Sequence, residues 1–229
     1  MESRLMRTSL KIIVLGDKCV GKTTLINALL DEDGTETSRY FTMGLVSNDV
    51  VHYEIDTDEY GKVMLNIWDT VGEEYNHIIS NSIFRRANGI IIVYDVSNRE
   101  SFAHVTAKWL PRIHELMGDG GLGDDNDADD IMSRDNIFKI LFVANKIDVV
   151  GDKRRVTNYE ARSLTDAYQL PFIQLSTISD EHDTIKLPFI LLTSLLMPFF
   201  AMPHRATSRL NLHDEQNTVR YTNDSTTCC

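Results

Sequence analysis

The stretch GDKCVGKT, residues 16–23, directly follows the apolar run 10–15 and decides the fold of this chain. It matches the pattern G-x-x-x-x-G-K-[ST], in which glycines let backbone N–H groups close around phosphates and the start of the following helix adds the positive end of its dipole. In this pattern Lys22 reaches the β- and γ-phosphates, and Thr23 offers its hydroxyl to Mg²⁺, which prefers oxygen ligands. The alternative for this stretch alone is a glycine-containing turn between a strand and a helix that binds no ligand.

A second motif indicates a triphosphate. Residues 69–73 read DTVGE and follow the apolar stretch 62–68. A carboxylate that leaves the end of a strand, here Asp69, can hold Mg²⁺ through water. The N–H of Gly72 can meet a γ-phosphate, so the motif implies a third phosphate that can be hydrolysed.

A third motif indicates that the base is guanine. Residues 145–148 read NKID and follow the strand-like run 137–144. The carboxylate of Asp148 can accept two N–H bonds from the edge of guanine, and adenine cannot supply that pair of donors. The three motifs together therefore predict a guanosine phosphate with Mg²⁺.

The order and spacing of these motifs resemble those of a Ras-superfamily small GTPase, and the details are most similar to the Rab family over about residues 9–202. The Rab-like features are Trp68 before Asp69, the run FRRANG at 84–89 and the terminal pair 228–229. The resemblance implies that the chain binds GTP or GDP with Mg²⁺ and hydrolyses GTP to GDP and phosphate. A P-loop ATPase or kinase is a third, more distant interpretation, against which the base motif argues.

The resemblance also implies roles for individual residues. Thr42 resembles the switch I threonine that coordinates Mg²⁺ when the third phosphate is present, so the expected metal ligands are Thr23, Thr42 and Asp69. The pair 176–177 resembles a Ser-Ala signature whose backbone amide meets the guanine carbonyl oxygen. The residues expected to act in hydrolysis are Thr42, Gly72 and Glu73. The residues expected to contact the nucleotide are Gly16, Cys19, Val20, Gly21, Lys22, Thr23, Thr24, Gly72, Asn145, Lys146, Asp148, Ser176 and Thr177.

Glu73 departs from the family pattern, which has a glutamine here to orient the attacking water. An ionised carboxylate only accepts hydrogen bonds, whereas glutamine both accepts and donates. The electrostatic repulsion between the γ-phosphate and a negative charge ~5 Å away would be on the order of 3 kcal/mol at an effective dielectric constant of about 20. We therefore expect slow hydrolysis, although a carboxylate that acted as a base would speed it. The alternative function is a guanine-nucleotide-binding scaffold that hydrolyses little and works through partner binding.

Strand and helix patterns alternate along the chain, which predicts an α/β fold with a mainly parallel six-stranded sheet flanked by helices, as in a P-loop NTPase of the small GTPase type. The nucleotide is expected at the carboxyl ends of the strands. The predicted strands lie near 10–15, 45–55, 62–68, 89–95, 137–144 and 171–175. The predicted helices lie near 22–31, 74–86, 101–117, 158–169 and 185–201. A capping box is predicted from Thr157 and Glu160 at the start of the fourth helix.

The expected organisation is an N-terminal extension over 1–9, a G domain over 10–202 and a flexible tail over 203–229. The G domain carries an acidic insertion at 118–135, for which a calcium loop is the weaker alternative because the spacing of an EF-hand is missing. The formal charge of -11 arises from 34 acidic and 23 basic residues, and an acidic chain without a basic stripe argues against nucleic-acid binding.

The apolar segment 187–202 occupies the position of the last helix of the family. It is shorter than the ~20 residues of a membrane span, so we predict a helix that packs on the core. Pro188 fits the first turn of such a helix, and Pro198 should kink or end it. The alternative interpretation is a membrane span.

The three cysteines predict a reducing compartment rather than a disulfide framework, since Cys19 has no obvious partner. At Cys19 itself, a tolerated small side chain is favoured over a redox sensor. The pair Cys228 and Cys229 resembles a double geranylgeranylation signal, and two lipid chains give stable anchoring where one gives marginal binding. The resemblance implies a lipid-anchored monomer on the cytosolic face of an endomembrane, acting as a switch in vesicle-mediated transport. The implied partners are an exchange factor, a GTPase-activating protein, a GDP-dissociation inhibitor or escort protein, and effectors.

Overall fold

The fold is known from a computed structural model, which describes residues 8–31, 50–70, 81–117 and 139–200. In these ranges strands and helices alternate along the chain, apart from the second and third strands, which follow each other and pair antiparallel. The strands are β1 Ser9–Leu15, β2 Val50–Thr57, β3 Gly61–Asp69, β4 Gly89–Asp95, β5 Lys139–Asn145 and β6 Phe172–Gln174. The helices are α1 Lys22–Leu30, α2 Asn81–Phe84, α3 Arg99–His104, α4 Leu110–Met117, α5 Asn158–Tyr168 and α6 His182–Phe200.

The six strands form one sheet in the order β2-β3-β1-β4-β5-β6. All neighbouring strands are parallel except β2 and β3, which are antiparallel. The prediction of a mainly parallel six-stranded sheet is therefore confirmed. Because β1, β3, β4, β5 and β6 run in the same direction, the segments that follow them meet at one edge of the sheet.

Both faces of the sheet are covered, which explains why its central strands are apolar along their whole length. All seven residues of β4 are buried. On one face α1 and α6 pack over residues such as Ile12, Ile91 and Val143. On the other face α3 and α4 pack over residues such as Ile13 and Ile92.

The helical segment after β4 differs from the single helix predicted over 101–117. It begins at Arg99, because the side chain of Asn98 accepts hydrogen bonds from the N–H groups of Glu100 and Ser101. Between α3 and α4 the chain makes a π-helical turn over Val105–Trp109. A π turn carries no periodic signal in the sequence, so pattern analysis predicts an ordinary helix there.

The predicted capping box at the start of α5 is confirmed. Thr157 Oγ1 accepts from the N–H of Glu160 at 3.2 Å, and Glu160 Oε2 accepts from the N–H of Thr157 at 3.0 Å. The hydrogen bonds from Thr157, supported by Arg99, lower the pKa of Glu160 to about 2.

The last helix packs on the core as predicted, but the prediction that Pro188 lies in its first turn is wrong. The helix begins at His182, because the carbonyl of Glu181 accepts from the N–H groups of Thr184 and Ile185, so Pro188 lies inside the helix instead of in its first turn. Pro198 does not end the helix, which continues to Phe200. The carbonyl that Pro198 leaves without its helical donor belongs to Ser194, which is exposed and accessible to water.

By length and composition α6 is also apolar enough to cross a membrane, and it is the one such helix in the part of the chain that the structure describes. Its buried residues, which include Phe189 and Leu192, lie against the sheet and α1. This packing agrees with a core helix, and core helices of soluble proteins pass the same test of length and composition.

The predicted starts of the second strand, near 45, and of the second helix, near 74, lie outside the described residues, as do the insertion 118–135 and the tail 203–229. The domain boundaries stay predictions.

Candidate functional site

The predicted nucleotide motifs meet at the carboxyl edge of the parallel strands. The phosphate loop joins β1 to α1, Asp69 ends β3, Asn145 ends β5, and the pair 176–177 follows β6. An open pocket of about 280 Å³ lies between them. It is lined by Cys19, Gly21, Lys22, Thr23, Thr24, Thr70, Lys146, Thr177 and Ile178.

Two glycines allow the phosphate loop to pass close to its neighbours. Gly16 has a φ of 142°, and a Cβ on it would lie 2.1 Å from the carbonyl oxygen of Val93. Gly21 has a φ of 102°, and a Cβ on it would lie 2.2 Å from Nδ2 of Asn145. Side chains are excluded at both positions, so the loop has the close-fitting backbone that a phosphate cradle needs.

Lys22 is held at the centre of the loop although it is only 5% exposed. Its Nζ donates hydrogen bonds to the carbonyl oxygens of Gly16, at 2.7 Å, and Asp17, at 2.9 Å. Lys22 is also the first residue of α1, where the helix dipole is positive. A buried cation beside a helix N-terminus is suited to binding an anion such as a phosphate.

Thr23 and Asp69 bring two oxygen atoms together beside Lys22. Thr23 Oγ1 donates to Asp69 Oδ2 at 2.6 Å, and both groups come from separate elements, α1 and β3. A hydroxyl and a carboxylate are the hard oxygen donors that Mg²⁺ prefers. The residues present therefore fit the metal, which would be held by these side chains and would neutralise phosphate charge.

Asn145 links the phosphate loop to the two loops that are predicted to contact the base. Its side chain is fully buried, and its Nδ2 donates to the carbonyl of Val20 at 2.8 Å. Its Oδ1 accepts from the backbone N–H of Lys146 at 2.8 Å and of Thr177 at 3.1 Å. One amide side chain thus links three separate loops, which fixes the distance between the phosphate and base ends of the pocket.

Asp148 is the predicted reader of the guanine edge. Its Oδ1 accepts from the hydroxyl of Ser176 at 2.6 Å, so the serine side chain orients the carboxylate. The backbone N–H of Ser176 donates to Asp180 at 2.8 Å. The N–H of Thr177 donates to Asn145, so both backbone amides of the pair 176–177 are hydrogen-bonded within the protein, and the resemblance implies a contact of one backbone amide of this pair with the guanine carbonyl.

Lys146 connects the base motif to two further elements. Its Nζ donates to the carbonyl of Cys19 at 2.7 Å and forms an ion pair with Asp95 at 2.7 Å. Burial raises the pKa of Asp95, but hydrogen bonds from Lys146 and Ser97 outweigh it and hold the pKa below its ordinary value. Asp95 is therefore an ionised anchor for Lys146.

The motif analysis did not predict four residues of this region. They are Asp17, Thr70, Asp95 and Ile178. Asp95 could have been found, since it ends a fully buried strand at the same edge as Asn145. Thr70 donates to the carbonyl of Val14 at 2.8 Å, a contact that no local pattern indicates.

Thr42, Gly72, Glu73, Cys228 and Cys229 lie outside the described residues, so the catalytic, switch I and lipidation assignments stay predictions.

The sheet order, the phosphate loop and the paired base motifs define a P-loop nucleotide-binding protein of the G-domain type. The model of the Ras family matches residues 11–196, and the chain belongs to this family. Its relatives place it close to the Rab proteins. It is 34% identical over 172 residues to the "Ras-related protein Rab-1" of Theileria annulata, covering 75% of this chain and 68% of that protein.

Two further relatives agree. The "Ras-related protein Rab-1D" of Dictyostelium discoideum is 34% identical over 168 residues, or 72% of this chain and 70% of that protein. The "Ras-related protein RIC1" of Oryza sativa subsp. japonica is 36% identical over 169 residues, with the same coverage of both chains. The predicted resemblance to a Rab-like small GTPase is confirmed, and this family comprises GTPases that bind GTP and GDP.

Proposed function

We propose that this protein is a GTP/GDP switch that acts in vesicle-mediated transport on membranes. The observation that carries the proposal is the arrangement around Asn145, whose side chain binds both the phosphate loop at Val20 and the base loop at Thr177. This link would hold the phosphate loop and the base loop at a fixed separation, which supports the binding of a nucleotide, and Asp148 would select guanine. Thr23 and Asp69 supply the protein oxygens for Mg²⁺.

The switch itself would be carried by Thr42 and Gly72, through contacts made only when the third phosphate is present. Loss of that phosphate would release both segments, and effectors would bind one state better than the other. We propose an exchange factor, a GTPase-activating protein, a GDP-dissociation inhibitor or escort protein, and effectors as partners. The alternative, a scaffold that binds guanine nucleotide but hydrolyses little, depends on Glu73.

We expect wild-type protein to hydrolyse bound GTP slowly, and the Glu73→Gln variant to hydrolyse it faster, by on the order of tenfold. The physical reason is the removal of a negative charge near the γ-phosphate and the return of a donor that orients water. Single-turnover conversion of preloaded GTP to GDP measures both rates. Asp152→Asn, which neutralises an exposed carboxylate in the loop after Asp148, is the matched control.

Equal rates for wild type and Glu73→Gln would contradict the proposed role of Glu73. A faster wild type would mean that the carboxylate acts as a base. No measurable conversion in either protein would favour the scaffold.

We also propose that Cys228 and Cys229 carry prenyl groups and anchor the protein to the cytosolic face of an endomembrane. Intact mass of the protein isolated from eukaryotic cells should show two added prenyl groups, and the protein should sediment with membranes. The Cys228→Ser/Cys229→Ser variant should be unmodified and remain in the supernatant, because two chains are needed for stable anchoring. An unmodified wild-type chain under the same conditions would contradict this proposal.

A further inference from the structure

Asp17, a phosphate-loop residue outside the predicted nucleotide contacts, is held by the helical segment after β4. Its Oδ1 accepts from the indole Nε1 of Trp109 at 3.0 Å, and its Oδ2 lies 2.5 Å from Nδ1 of His104. The Asp17 side chain is 16% exposed and that of His104 is 21% exposed. Trp109 is almost fully buried, at 1% exposed. Each carboxylate oxygen of Asp17 therefore has one protein donor, and the side chains of Asp17 and His104 are only partly exposed.

The π-helical turn brings both donors to the same carboxylate. In a regular α-helix, residues five apart point about 140° away from each other, because each residue turns the helix by about 100°. His104 and Trp109 are five apart, and the wider turn between them is closed by a hydrogen bond from the N–H of Leu110 to the carbonyl of Val105. This turn moves Trp109 back to the face that carries His104, so both side chains reach Asp17.

Asp17 also contacts Lys22, the buried lysine of the phosphate loop, through its backbone carbonyl. The carbonyl of Asp17 accepts from Nζ of Lys22 at 2.9 Å, next to the bond from Lys22 to Gly16. Because a carboxylate only accepts hydrogen bonds, Nδ1 of His104 carries the proton. Nε2 of His104 faces the carboxylate of Glu100 at 3.8 Å. A displacement of Asp17 would thus move the backbone that positions Lys22.

We propose that His104 and Trp109 are positioning residues that fix the phosphate loop through Asp17 and thereby slow the release of bound nucleotide. We refer to Asp17, His104 and Trp109 as the loop clamp. The proposal rests on the proposed guanine-nucleotide binding and adds to it a specific set of residues that govern retention. The π turn is the element that makes the clamp possible.

The test is the rate of GDP dissociation, measured with a fluorescent GDP analogue chased by excess unlabelled GDP at millimolar Mg²⁺. We expect Asp17→Ala to release the analogue about tenfold faster than wild type, because two hydrogen bonds to a charged group are lost. His104→Ala and Trp109→Phe should each have a smaller effect in the same direction. His104 is partly exposed, so its variant tests the clamp even where a change at the buried tryptophan prevents folding.

Three further variants separate positioning from a loss of stability. Asp17→Asn should restore most of the slow release, because an amide can accept from Trp109 and donate to the other tautomer of His104. Once Asp17→Ala is present, adding His104→Ala should cause no further acceleration, since the shared partner is gone. Ile113→Val, which removes one buried methyl group from α4, is the matched control and should release GDP at the wild-type rate.

Wild-type release rates in His104→Ala and Asp17→Ala would overturn the proposed clamp while leaving nucleotide binding intact. Equal acceleration in Ile113→Val and the clamp variants would also overturn it, since a general loss of stability would then be the cause. A folded wild-type protein that takes up no fluorescent GDP would contradict the proposed function itself, and the clamp with it.

Discussion

Lys22→Ala is expected to weaken GDP binding on the order of a hundredfold to a thousandfold. The ammonium group is almost completely buried and is held by the carbonyls of Gly16 and Asp17 at the start of α1. In the complex this ammonium group would pair with the phosphates of the nucleotide. Removing one partner of a buried, hydrogen-bonded charge pair typically weakens binding by about 2 kcal/mol or more. Equilibrium binding of fluorescent GDP at millimolar Mg²⁺ measures the loss.

Lys153→Ala is the matched control for this variant. Lys153 is an exposed lysine of the short helical turn Gly151–Lys153 and lines no part of the described pocket. The Lys153→Ala variant loses one positive charge, as Lys22→Ala does, but it should bind GDP like wild type. Similar losses in both variants would indicate a nonspecific effect of net charge, and full affinity in Lys22→Ala would contradict the assignment of the phosphate loop.

Asp148→Asn should change the base that the protein selects. The carboxylate can accept from both N–H donors of the guanine edge, whereas an amide accepts one hydrogen bond and donates another. Its NH₂ group would face the amino group of guanine but would match the carbonyl that xanthine has in that position. We expect GDP binding to weaken on the order of a hundredfold and xanthosine diphosphate binding to become stronger than GDP binding.

Competition of both nucleotides against the same fluorescent probe measures this change of preference. Ser176 orients Asp148 through its hydroxyl at 2.6 Å, and the new side chain retains an oxygen that can accept this bond. The control is Asp152→Asn, which changes an exposed carboxylate four residues after Asp148. This variant should keep the wild-type preference for GDP. An unchanged preference in Asp148→Asn would show that another group reads the base.

Much of the fold could be predicted because its signals are local. The all-apolar run of β4 indicates a strand buried on both faces, and the capping pair Thr157 and Glu160 marks the start of α5 within one residue. The phosphate loop has glycines where only glycine fits, so the motif and its conformation agree. These features are independent of distant parts of the chain.

The errors arise where a local stretch carries no periodic signal or where distant residues decide the structure. Helix α6 begins earlier than predicted, because the carbonyl of Glu181, in a polar stretch without periodicity, accepts the first hydrogen bonds of the helix. The π turn at Val105–Trp109 has no sequence signal, and its relation to Asp17 spans 92 positions. The role of Asp95 comes from an ion pair with Lys146, which directly follows the neighbouring strand β5, although the position of Asp95 at the end of a buried strand could have indicated it.

Motif spacing predicts the residues of the candidate site, but it does not predict the contacts between them. Asn145 stays a predicted nucleotide contact, and the structure shows that its side chain links Val20 to Thr177. The resemblance expected a backbone amide at 176–177 for the guanine carbonyl, and both amides are hydrogen-bonded to protein acceptors. Such partner choices depend on three-dimensional packing and cannot be read from spacing.

The most direct test compares calorimetric titrations of GDP and ADP into nucleotide-free protein at millimolar Mg²⁺. The pocket lined by Lys22 and Lys146 should give saturable one-to-one binding of GDP, and ADP should bind at least about a hundredfold more weakly. Comparable affinities for GDP and ADP, or no binding of GDP to folded protein, would contradict the account.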